Sequence, residues 1–260
     1  MNEMPDLDLP DFDQADSERA AAHRAAGDVT AAREQAALDW PHVFRAGRPA
    51  ASVGSDAPGA DAAGADAPVF LMLHGTGGNE QETLNLADAL DPAATVLSPR
   101  GRVTEGGMLR WFRRLSEGVF DVDDVVMRAG ELAGFIAAAR QRYDLGDRSI
   151  IAVGFSNGAN IALATALLYP KALDRVVAFS GMFPLDDRTL TTDLADTAVL
   201  MLNGRSDPMA PLASADRAAA TFTAHGAEVE RELRDGGHGI AATDVAAARS
   251  WLARQAQVRA

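Results

Sequence analysis

The chain has 260 residues, 47% of them hydrophobic, and a formal net charge of −13. That length suits one well-buried catalytic domain with short extensions, and the negative balance argues against nucleic acid or an anionic membrane as a partner, because the mean field repels phosphates. No cysteine is present, which excludes a disulfide framework, a thiolate nucleophile and a cysteine-ligated metal site together.

Residues 1–39 begin acidic and proline-containing and continue as an Ala/Glu/Arg segment with few large apolar residues, so a mobile extension is expected there. The start lacks the basic and apolar stretches of an export signal, and the longest apolar run, Ala159 to Tyr169, is too short to cross a bilayer. A cytoplasmic protein without stable membrane association is the expectation.

A catalytic domain is expected over 40–260. Its first strand is Trp40 to Arg45, and a flexible Ala/Gly/Asp/Pro loop follows over Ala51 to Ala67. Short apolar runs then alternate with amphipathic stretches. Val69 to Leu73, Thr95 to Ser98, Ser149 to Val153, Arg175 to Ser180 and Ala198 to Leu202 read as strands buried on both faces. Glu82 to Leu90, Val122 to Tyr143, Asn157 to Tyr169, Ala213 to His225 and Ala241 to about Gln255 read as helices, with one more strand at Val229 to Arg234. This alternation predicts an α/β fold with a mostly parallel sheet covered on both sides.

The chemistry-bearing motifs fall at strand ends. Gly154-Phe-Ser-Asn-Gly158 lies between a strand and a helix, where a sharp turn flanked by glycines pushes Ser156 into the open as a nucleophile. Leu73 leads into His74-Gly-Thr-Gly-Gly-Asn79, a glycine-rich loop that lacks the Gly-Lys-Ser/Thr ending of a nucleotide-binding P-loop. Backbone N–H groups of Thr76 and Asn157 are the candidate oxyanion donors, and His74 is expected to hold the loop in place.

A serine hydroxyl needs a base. Of the five histidines, His238 lies in a glycine-flanked loop between the last strand and the last helix, where the order Ser, Asp, His places the base, whereas His225 reads as a surface cap. Asp207, in Arg205-Ser-Asp-Pro208 after a strand, is the candidate acid; Asp186, Asp187 and Asp235 are its rivals. Met108 to Asp121 interrupts the alternation and is expected to form a cap, with Trp111 and Phe112 as candidate pocket residues beside Met182, Phe183 and Met209. No metal-ligand cluster is evident, and no cofactor is expected.

The pieces Leu73-His-Gly-Thr-Gly-Gly78, Ser98-Pro-Arg-Gly101, Gly154-Phe-Ser-Asn-Gly-Ala-Asn160, Asn203-Gly-Arg-Ser-Asp-Pro208 and Gly237-His-Gly239 resemble the phospholipase/carboxylesterase branch of the α/β-hydrolases over about residues 40 to 255. Arg110 to Asp121 looks most like bacterial esterases of the hydroquinone-responsive type. The resemblance implies hydrolysis of a small carboxylic ester through an acyl-enzyme. It leaves open a thioesterase or lysophospholipase with the same triad, and a non-catalytic small-molecule receptor on the same fold. The partner implied is a small-molecule ester, and a homodimer is one allowed assembly.

Overall fold

The computed structural model describes residues 39–48 and 67–258. The expected N-terminal extension and the 51–67 loop lie, but for their last residues, outside the described residues. In chain order the strands are β1 (His42–Arg45), β2 (Val69–Leu73), β3 (Thr95–Pro99), β4 (Val103–Glu105), β5 (Met108–Arg110), β6 (Arg114–Ser116), β7 (Val119–Phe120), β8 (Ile150–Phe155), β9 (Arg175–Phe179), β10 (Ala198–Gly204) and β11 (Glu228–Arg234). The helices are α1 (Leu84–Leu90), α2 (Val122–Arg142), α3 (Asn157–Leu168), α4 (Leu212–Ala224) and α5 (Ala242–Val258). Among the described residues, no helix is long and apolar enough to cross a membrane.

Seven strands form one sheet in the order β1-β3-β2-β8-β9-β10-β11. All neighbours are parallel except β1, which runs antiparallel to β3 with His42 opposite Pro99. The alternation of side chains along each strand divides the core in two. Val69, Leu71 and Leu73 of β2 face a layer that holds Leu132 and Phe135 of α2, Ile161 of α3 and Phe222 of α4. Phe70 and Met72 face the opposite layer with Leu90 of α1 and Trp251 of α5. Strands buried on both faces are therefore apolar at successive residues, as in parallel sheets generally.

The stretch between β3 and α2 departs from this pattern. It makes two small antiparallel hairpins, β4 with β5 and β6 with β7. The first turn is Glu105-Gly-Gly-Met108, with φ of 57° at Gly106 and 81° at Gly107, the paired left-handed residues of a two-residue hairpin loop. Asp121 closes the second hairpin and caps α2, its side chain accepting from Asp124 N.

Two contacts hold the C-terminal edge of the sheet in shape. A Cβ at Gly158 would stand 2.0 Å from the Leu73 carbonyl oxygen, and one at Gly154 would stand 2.5 Å from the Gly158 carbonyl carbon. Glycine at both positions lets β2, β8 and the first turn of α3 meet backbone to backbone. The second contact is His74, 2% exposed. Its Nδ1–H donates to the Gly75 carbonyl at 2.7 Å and its Nε2 accepts from Gly101 N at 2.8 Å. Trp111 Nε1 donates to the His74 carbonyl at 2.8 Å, and Trp111 N donates to Asn157 Oδ1 at 2.7 Å. Trp111 thus ties the loop after β2 to the start of α3.

These contacts carry two predictions. Gly158→Ala forces a methyl group against a backbone oxygen and lowers stability by about 3 kcal/mol; urea unfolding measures it, and an unchanged midpoint would contradict the close approach. Burial first of all pulls the His74 imidazole below its ordinary value of 6.5, and protonation would set a second N–H against Gly101 N. The unfolded chain therefore binds the extra proton more readily. The contribution of neutral His74 is complete above the unfolded-state value and is lost as pH falls below it. His74→Gln is expected to be less stable at pH 8 but to lose stability less steeply between about pH 7 and pH 5 than the parent chain, read from thermal unfolding across that range.

Candidate active site

Ser156 sits between β8 and α3 with φ 53° and ψ −116°, a left-handed backbone that a residue other than glycine adopts only when its surroundings impose it. The surroundings are visible. Ser156 N donates to the Phe179 carbonyl at 2.9 Å, and Ser180 N, after β9, donates to the Leu202 carbonyl at 2.8 Å. The ends of β8, β9 and β10 are thereby stitched together, and the serine is held at the mouth of a cavity of about 350 Å³.

Asp207 follows β10 and His238 follows β11. A Cβ at Gly204 would meet the Gly236 carbonyl oxygen at 2.5 Å, so the two loops cross in contact. His238 Nδ1 lies 2.8 Å from Asp207 Oδ2. The other carboxylate oxygen accepts from Met209 N at 2.9 Å and Ala210 N at 3.0 Å. Burial pushes the Asp207 carboxyl up, but the hydrogen bonds from His238 and from the Ala210 and Met209 N–H groups outweigh it and hold the group below its ordinary value of 3.8. An ionised Asp207 accepts a hydrogen bond from Nδ1–H, which leaves Nε2 as the lone-pair nitrogen. The imidazole packs on the ring of Phe155, centroids 5.0 Å apart, beside the residue that precedes Ser156.

The rival carboxylates are engaged elsewhere: Asp186 and Asp187 pair with Arg217, and Asp235, with a 99% exposed side chain, faces Arg205. His225 ends α4 with Nδ1 on the Thr192 carbonyl at 2.8 Å.

Thr76 and Asn157 both line the cavity with Ser156. Neither Thr76 N nor Asn157 N donates to a carbonyl among the described residues. Asn157 N is also one of the unpaired first-turn N–H groups of α3, at the positive end of its dipole. Two free N–H groups beside a serine can stabilise a developing oxyanion.

Met182 and Met209 line this cavity as expected, while Phe183 lines a neighbouring cavity of about 390 Å³ that shares Gly118, Phe120 and Met182 with it. Trp111 and Phe112 do not line it. They are 1% and 0% exposed and belong to the core under the sheet's edge, where Trp111 tilts against Trp40 and His74 and Phe112 packs edge-on to Phe120. The wall is made instead by Met108, Arg110, Arg114, Glu117, Phe120 and Asn160. Alternation along β5 carried the signal, because Met108 and Arg110 share one face of that strand. Among the described residues, no group of three His, Asp or Glu side chains is arranged to hold a metal ion.

The sequence profile of the phospholipase/carboxylesterase family matches residues 60–255. MhqD of Bacillus subtilis (strain 168), named as a hydrolase, is 39% identical over 183 residues, covering 70% of this chain and 91% of that protein. Among solved structures, a carboxylesterase from Bacillus cereus superposes with a TM-score of 0.74 at 35% identity, over 83% of this chain and 94% of that one. The structure of YahD with malic acid gives 0.71 at 28% identity, over 83% and 98%. With the sheet order, the strained serine turn and these similarities in hand, the chain belongs to the phospholipase/carboxylesterase family of α/β-hydrolases.

Proposed function

We propose that the protein is a serine carboxylesterase that hydrolyses small carboxylic esters, with Ser156 as nucleophile, His238 as general base and acid, and Asp207 as the carboxylate that orients the imidazole. The observation that carries the reading is the 2.8 Å contact between His238 and an ionised Asp207, with the imidazole against Phe155, the residue before the strained Ser156. In the first stage Ser156 Oγ attacks the acyl carbon, His238 Nε2 takes the hydroxyl proton, and the N–H groups of Thr76 and Asn157 receive the carbonyl oxygen as it becomes negative. The proton then passes from His238 to the departing alkoxide. Water enters and attacks the acyl carbon as it loses a proton to His238, and His238 returns that proton to Ser156 Oγ as the bond to the acyl group breaks and the acid leaves.

A cavity of about 350 Å³ favours short acyl and alcohol groups over long lipid chains. The resemblance of Arg110 to Asp121 to hydroquinone-responsive esterases agrees with small substrates, and the malic acid in the YahD structure is a ligand of that scale. An acyl thioesterase would use the same residues, so the panel that tests the proposal contains short and long p-nitrophenyl esters and thioesters.

Wild type is expected to label with a fluorophosphonate and to turn over short oxygen esters best. Ser156→Ala loses labelling and about 10⁴-fold or more of kcat, and Asp207→Asn loses about 10⁴-fold by releasing the imidazole to the wrong tautomer. A folded wild-type protein that neither labels nor turns over any member of the panel would overturn the proposal.

A further inference from the structure

Part of the wall of the Ser156 cavity carries hydrogen-bond donors. Arg110 is 4% exposed, Asn157 3% and Asn160 5%, and all three line the Ser156 cavity. The two amides are fixed in orientation by backbone donors: Asn157 Oδ1 accepts from Trp111 N, and Asn160 Oδ1 accepts from Met182 N at 2.8 Å. Each Nδ2 is therefore the group left over, and Asn157 Nδ2 is buried without a partner. Arg110 spends Nη1 on Thr76 Oγ1 at 3.0 Å and Nε on the Phe112 carbonyl at 3.3 Å, with Glu105 at 3.4 Å. Among the described residues, no group hydrogen-bonds Arg110 Nη2 or Asn160 Nδ2.

Buried donors without acceptors are costly, and native proteins keep few of them. Asn157 Nδ2 is such a donor, and Arg110 and Asn160, which line the same cavity beside Ser156, each keep a further donor that no acceptor among the described residues takes. The other charged groups on the wall are Arg114 and Glu117, which pair with each other, and Arg114 also holds Glu105 at 2.7 Å. Glu105 is thus shared between two guanidinium groups. Among the described residues, Glu117 is the only carboxylate on the cavity wall, and it is spent on the rim with a 69% exposed side chain.

We infer that this cavity takes esters that themselves carry a carboxylate close to the scissile carbonyl, held by Arg110, Asn157 and Asn160. A carboxylate offers only acceptors and adds negative charge beside an arginine whose one carboxylate partner, Glu105, is shared with Arg114. A neutral ester of the same length leaves those donors unpaired, which is a strong form of discrimination in enzyme pockets. The inference deepens the esterase reading and rests on it.

The test compares monomethyl succinate with dimethyl succinate and methyl butyrate, in wild type and Arg110→Gln, whose amide can still donate to Thr76. Wild type is expected to prefer the half-ester at least tenfold in kcat/KM, and Arg110→Gln to lose about tenfold more on the half-ester than on the neutral esters. A loop that has merely loosened would depress all three alike. Ser156-dependent hydrolysis that favours the neutral esters overturns the inference and leaves the esterase reading standing. If nothing is hydrolysed, titration of Ser156→Ala with succinate decides: binding weakened at least tenfold by adding Arg110→Gln supports the carboxylate site, and no binding overturns it.

Discussion

The close approach of Leu73 and Gly158, backbone against backbone, is the contact on which the rest of the site depends. Oxyanion stabilisation needs two N–H groups from distant parts of the chain aimed at one point. In the proposed reaction one, from Thr76, belongs to the loop after β2 and the other, from Asn157, to the first turn of α3, so the two segments must touch. A side chain at Gly158 would hold them apart. Trp111 then fixes the distance by bonding to His74 on one side and Asn157 on the other, and His74 fixes the loop by joining Gly75 to Gly101. Trp111 therefore acts as a buried brace instead of lining the Ser156 cavity.

A second constraint is electrostatic. The chain as a whole is strongly negative, yet the cavity beside Ser156 is lined by arginine, amide donors and the N-terminus of α3. In the proposed reaction, charge that develops on an oxyanion meets preorganised donors there. Asp207 is buried and still ionised because three hydrogen bonds offset its desolvation. Low-dielectric burial makes each of these interactions stronger and each unpaired group more expensive.

Much of the fold was legible in the sequence. Unbroken apolar runs such as Val69 to Leu73 announced strands covered on both faces, and β2 has those same bounds. The Ser, Asp, His order and the glycines around each member placed the three candidates, and the structure brings Asp207 and His238 into contact. Within the hairpins between β3 and α2, Trp111 and Phe112 were expected to line the pocket, and they are buried in the core instead. Glu105-Gly-Gly-Met108 is itself a two-residue hairpin signal, and alternation from it would have sent Arg110 towards the cavity.

The sequence by itself determined which residues can do chemistry and in which order the sheet's loops deliver them, because those follow from periodicity, glycine placement and side-chain type. It could not say which of the large side chains between residues 108 and 121 would meet substrate. That depended on how two short hairpins fold back over the sheet's edge, and so on contacts spanning many tens of residues, such as Trp111 with Asn157 and Arg110 with Thr76. Whether a donor is satisfied or left facing a cavity is a property of its neighbours in space, and only the tertiary structure supplies them.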